Sequence, residues 1–183
     1  MEGPLSDDAL AAHLATVLQR TAEALEASGA RTEALADFQE RRPILGIARS
    51  PIMVPRGRVW RLGVLLLDQH RALHTIGAVT RAVEPGRVTN QSARAEERRD
   101  YRRAAFQAKF AEGDTVNFDT TPIPLDGASI RGHGHGHDRA QGLLAERDGV
   151  LMVRWSRQAG EHALTPLEPY LAERAALLTA PPP

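Results

Sequence analysis

Two apolar arms flank a short polar break between Gly57 and Val83, and this stretch constrains the fold more than any other in the chain. The first arm, Gly57 to Leu67, is nearly unbroken in apolar residues from Leu62 onward. That is the pattern of a strand covered on both faces. Trp60, Val59 and Val64 suit a pleated surface. The second arm, Leu73 to Val83, alternates His74, Ile76, Ala78 and Thr80 with Leu73, Thr75, Gly77 and Val79. Asp68 to Arg71 supplies turn formers between them. A buried helix would show the same apolar run, but Gly63, Gly77 and the β-branched neighbours favour strand. The reading is a long central hairpin.

A second hairpin is marked by Arg147-Asp148-Gly149-Val150, since Asp-Gly between apolar arms prefers a type I′ turn. Such a turn opposes Glu146 to Leu151, Leu144 to Val153 and Gly142 to Trp155. Leu144, Leu151, Val153 and Trp155 then form one apolar face. Between Pro43 and Pro55 the apolar segments 44–48 and 52–54 read as short edge strands, where proline is tolerated. Thr115 to Asp119 reads as another short strand, with turns at Glu84-Pro85-Gly86, Gly113-Asp114 and Asp126-Gly127.

Helices flank these strands. Ser6 caps a helix whose apolar residues Leu10, Leu14, Val17, Leu18 and Leu25 share one face, and Ser28-Gly29 ends it. A shorter helix is expected from Thr32, holding Leu35 and Phe38 and stopping before Pro43. Ser92 caps a third, Ala93 to Ala111, with Tyr101, Ala104, Ala105 and Ala108 as its buried stripe, widened by Phe106 and Phe110. Thr165-Pro166-Leu167-Glu168 matches a capping box before a last helix with Leu167, Tyr170, Leu171, Leu177 and Leu178 on one side. The fold class is α+β: an antiparallel sheet built from two hairpins, with N-terminal, central and C-terminal helices. The expected division is a helical arm over residues 1–42, an α+β domain over 43–180 and a frayed tail over 181–183. The arm packs on the sheet or on a second copy of the chain; the sequence leaves both open.

Composition removes several chemistries. Cysteine is absent, so disulfides, thiolate ligands and cysteine nucleophiles are excluded. Lys109 is the only lysine, with Phe106 three residues before it, so a Ser-x-x-Lys nucleophile is excluded. No apolar run approaches the roughly 18 residues that span a bilayer. Met1-Glu2-Gly3-Pro4 lacks the basic flank and apolar centre of a signal peptide, and a cytoplasmic location is the expectation. There is no G-x-S-x-G, Walker loop, H-E-x-x-H or strand-linked G-x-G-x-x-G.

Charge is unevenly spread. Residues 1–40 sum to −6, residues 41–111 to +10 and residues 112–183 to −4. The basic segment culminates in Arg94, Arg98, Arg99, Arg102 and Arg103 on the third helix. These five are the candidate surface for a small anion or a protein partner; they are equally readable as a solvated helix face. Aromatic residues are only 4% of the chain, which leaves few base-stacking platforms and argues against nucleic acid. The one segment with ligand chemistry is Gly132-His133-Gly134-His135-Gly136-His137-Asp138. Extended, it sends His133, His135 and His137 to one side, where they can hold zinc or another divalent transition metal. Its alternating glycines also fit a plain solvent loop.

Three blocks carry a resemblance: Met53 to Leu67, Val79 to Val83 and Asn90 to Arg99. Together they resemble a poorly characterised group of actinobacterial proteins, some of which carry the label glutaminase. The resemblance implies amide hydrolysis but transfers no site residues, because the chain has neither the Ser-x-x-Lys pair nor the cysteine of known glutaminases. Two functional expectations follow. The first is a non-catalytic binding module using the arginine-rich surface. The alternative is a metal-dependent hydrolase using the histidine segment.

Overall fold

The computed structural model describes residues 5–44, 47–85, 92–132, 142–156 and 163–179. In chain order the elements are α1 (Asp7–Ala27), β1 (Glu33–Ile44), β2 (Ile47–Leu62), β3 (Leu65–Asp68), β4 (Leu73–Thr75), β5 (Ala78–Arg81), α2 (Ala93–Gln107), β6 (Thr115–Phe118), α3 (Gly127–Arg131), β7 (Leu144–Arg147), β8 (Val150–Arg154), β9 (Leu164–Pro166) and α4 (Leu167–Thr179). The α+β class holds, with largely antiparallel pairing and N-terminal, central and C-terminal helices. None of the described helices is long and apolar enough to cross a membrane. The chain divides into two compact units. One comprises residues 1–32, 60–75 and 121–183; the other comprises 33–59 and 76–120. Each has its own apolar core.

In the first unit, α1 starts where Ser6 accepts the Ala9 amide, and it ends at Gly29 with φ +64°. Leu10, Leu14, Val17, Leu18, Ala22 and Leu25 are buried along one face. Each buried leucine contributes about 2 kcal/mol of transfer free energy, so this stripe far outweighs the cap. α3 and α4 pack against α1. Arg131 of α3 reaches the Asp7 carboxylate and, at 3.4 Å, that of Glu146. Glu168 of α4 takes Arg20 at 3.0 Å and His13 at 3.3 Å.

The β3–β4 hairpin pairs Leu65 with Thr75, Leu66 with His74 and Leu67 with Leu73 across the expected Asp68–Arg71 turn. The first arm is not one strand, however. Gly63 adopts φ +64° and breaks it between β2 and β3. Its neighbour Val64 donates its amide to the Tyr170 hydroxyl at 2.9 Å.

A three-stranded antiparallel sheet, β7–β8–β9, completes this unit. The Asp-Gly turn is as expected, with Asp148 at φ +52° and Gly149 at φ +80°, and the register opposes Glu146 to Leu151 and Leu144 to Val153. The ladder stops there. Trp155 donates its amide to Ala163 instead of meeting Gly142, and its side chain is about half exposed rather than in the core. The capping box is also replaced. Thr165 pairs with Val153 inside β9, α4 begins at Leu167, and Glu168 is drawn to the cations of α1. Leu177, expected to be buried, is exposed on the last turn.

The second unit holds the strand order β2–β1–β6–β5, with α2 against β5. The principal correction is β1. The segment after Thr32 is a strand, not a helix, and it forms the long hairpin of the protein with β2, from Glu33↔Val59 to Phe38↔Met53 and beyond. Leu35 and Phe38, three apart, imitate a helical stripe. The buried face in fact runs Ala34, Ala36 and Phe38 at period two, and alanine's helix preference hides it. The two short edge strands expected around the prolines are likewise the end of β1 and the long strand β2.

β1 also pairs in parallel with β6, Ala34 with Val116 and Leu35 with Asn117. A hairpin count cannot anticipate this, because a parallel neighbour arrives by a long crossover. Asn117, fully buried at that ladder, donates its amide to the Ala34 carbonyl at 3.2 Å and to Glu33 Oε2 at 2.8 Å. The core is built from Ala34, Ala36, Ala82, Ala104 and Ala105 around Val116, Met53 and Phe118. Small side chains let α2 approach the sheet closely. Phe38, Tyr101 and Phe118 fill the remaining space, with ring centroids 4.7 to 5.7 Å apart. Phe106, assigned to the buried stripe from sequence, is instead exposed on the far side of α2.

Candidate functional site

α2 begins where Ser92 accepts the Ala95 amide and ends at Gln107, with Lys109 at φ +60° after it. Ala104 and Ala105 turn inward and set the helix rotation. At 3.6 residues per turn, Arg94, Arg98 and Arg102 then share one row, while Arg99 and Arg103 share the next. The structure thus separates the five arginines. Arg98 and Arg102, together with Tyr101, form one wall of a depression of about 440 Å³. Val79, Thr80, Arg81 and Val83, from β5 and the segment after it, form the other. Arg94, Arg99 and Arg103 do not line it. Arg103 pairs with Asp100 at 3.6 Å, and the Nε of Arg99 is buried without a partner among the described residues.

Arg98 donates through Nε to the Arg94 carbonyl at 3.1 Å, an intrahelical bond that leaves the rest of its guanidinium to the groove. Arg81 and Arg102 have no ion pair among the described residues. The acid nearest in sequence, Glu97, accepts the Tyr101 phenol at 2.5 Å. That hydrogen bond, with some desolvation and the charge of Glu97 itself, pushes the Tyr101 phenol up to about 12. Tyr101 is therefore held neutral. Among the described residues, no histidine or carboxylate lines the groove. Arginine side chains at such a depression are suited to holding carboxylate or phosphate oxygens.

Sequence reasoning identified α2 but missed β5. Arg81 sits in the expected second arm, where a lone arginine on an alternating strand looks like ordinary surface. Only the pairing of β5 beside α2 makes it a third cation of the same groove.

The remaining candidates separate clearly. His133, His135 and His137 lie outside the described residues, as does Asp138. Among the described residues no three His, Asp or Glu side chains converge on a point that would hold a metal ion. His74 and Asp68 are joined at 3.0 Å, with both side chains largely buried. The other oxygen of Asp68 accepts the amides of His70 and Ala72. The pair thereby fastens the β3–β4 turn and offers no open face. Asp114 is engaged by Arg58 through two bonds, at 2.5 and 3.3 Å. Asp126 caps α3 by accepting the Ser129 amide, and this hydrogen bonding lowers its pKa. Asp114 and Asp126 thus both have structural partners.

No protein-family model matches the chain, and neither curated proteins nor solved structures show a significant similarity to it.

Proposed function

We infer that this protein is a binding module that holds an anionic ligand in the groove between α2 and β5. Arg81, Arg98 and Arg102 supply the charge. The observation that carries this reading is that Arg81, Arg98 and Arg102, from two elements, line one depression with no carboxylate among its described lining residues. Tyr101 adds an aromatic ring whose hydroxyl is taken by Glu97. The +10 balance of residues 41–111 favours approach of an anion at low ionic strength.

The test is a titration of the isotopically labelled full chain with inorganic pyrophosphate and, separately, with a short polyglutamate peptide. Amide shifts at Val79 to Val83 and at Arg98 to Arg102 are expected with at least one probe. They should weaken with added salt and vanish in the double charge reversal Arg98→Glu/Arg102→Glu. If neither probe moves these amides, or if the double variant responds as the parent does, the reading is wrong.

A further inference from the structure

The groove runs beside an open sheet edge. Among the described residues β5 is the terminal strand of its sheet and pairs with β6 alone, Thr80 opposite Val116 and Arg81 opposite Thr115. The direction of its backbone groups follows from the residue after it. Ala82 donates its amide to Asp114 and accepts from Gly113, both on the β6 side. The amide and carbonyl of one residue point the same way in an antiparallel ladder and alternate along it. Thr80 therefore also faces β6, while the amides of Val79 and Arg81 and the carbonyl of Val79 face outward. The Arg81 carbonyl takes the Val83 amide at 2.9 Å, which closes the ladder at that end. Val79, 48% exposed, is an uncovered apolar side chain beside these groups. An edge of this kind is a template for one more strand.

We propose that the ligand of this groove is an extended acidic peptide segment of a partner protein, which adds to the β5 edge as a further antiparallel or parallel strand. The proposal rests on the anion-binding reading above and specifies its ligand. Backbone bonds to Val79 and Arg81 supply the docking, and alternate carboxylates meet the arginines. The spacing suits this. Residues four apart rise about 6 Å along a helix, and every second strand residue advances about 6.6 Å. The spacing of successive carboxylates on one face of a strand thus matches that of Arg98 and Arg102. An added strand would lie about 4.8 Å from β5. A free inorganic anion would use the guanidiniums but leave the outward amides of β5 unanswered.

Three probes test this on the full chain: a short peptide alternating Glu and Val, the same peptide with its alternate amides N-methylated, and inorganic pyrophosphate. The parent peptide should bind, with its dissociation constant raised about tenfold or more by N-methylation and by Arg98→Glu/Arg102→Glu. Val79→Pro removes one outward amide while leaving the β6 side intact. It should weaken the peptide by about tenfold. If the methylated peptide binds as well as the parent, or if pyrophosphate binds at the arginines and the peptide does not, strand addition is overturned while the anion groove stands. If an arginine-dependent single-stranded oligonucleotide binds in place of the peptide, the ligand class is wrong. If no probe binds, both readings fall. The methylated peptide keeps the test decisive should Val79→Pro disturb β5.

Discussion

Replacing Gly63 with alanine should destabilise the first unit by about 1.5–2.5 kcal/mol. Gly63 sits at φ +64°, where an alanine costs about 1 kcal/mol relative to glycine. Its Cβ would also fall within the Tyr170 hydroxyl, with the ring carbon bearing that hydroxyl only 2.9 Å away. Tyr170 is 6% exposed and holds the Val64 amide at 2.9 Å, so the ring has to move and that amide loses its acceptor. An unsatisfied half-buried amide costs about 1–2 kcal/mol. The stiffer unfolded chain returns about 0.5 kcal/mol. Urea unfolding followed by indole fluorescence reads this unit, because both tryptophans, Trp60 and Trp155, belong to it. Tyr170→Phe removes the obstructing oxygen, so Gly63→Ala in that background should cost about 1 kcal/mol less than in the parent. Two results would refute the argument: a cost for Gly63→Ala below about 0.5 kcal/mol, or strict additivity of the two substitutions.

Phe118→Ala, at a fully buried ring flanked by Phe38 and Tyr101, should cost about 3–5 kcal/mol in the second unit, read as a lowered urea midpoint of the far-ultraviolet signal. Tyr101 should titrate near pH 12 by phenolate absorbance, and Glu97→Gln should return it toward 10. The sign follows from the neutral phenol being favoured in the folded state. Its contribution to stability is complete below pH 10 and is lost as pH rises through 12, so unfolding midpoints should fall across that window in the parent and less in Glu97→Gln. Ser6→Ala removes the acceptor of the Ala9 amide and should destabilise α1 by about 1 kcal/mol, visible as faster amide exchange in its first turn.

The two units make different use of arginine. In the first, Arg20 and Arg131 are spent on carboxylates of neighbouring elements, joining helices and a hairpin. In the second, Arg56 and Arg58 are taken by Asp37 and Asp114, while Arg81 and Arg102 face the groove with no ion pair among the described residues.

Local signals with a stereochemical cause were legible along the chain. The Ser6 and Ser92 caps, the Asp148-Gly149 turn and the α1 stripe each depend on residues within one or two turns of one another, so short-range sequence carries them. Helix α2 and its arginines were legible for the same reason. Long-range pairing was not. Alanine-rich β1 has no periodicity strong enough to betray a strand, and it becomes one because β2 and β6 satisfy its backbone on both sides. Gly63 reads equally as strand interior or turn until Tyr170, more than a hundred residues later, occupies the space its side chain would need. The groove belongs to this second kind. Arg81 and Arg102 are ordinary surface residues in sequence, and they come to line one depression when β5 and α2 pack side by side over a core whose alanines admit so close an approach.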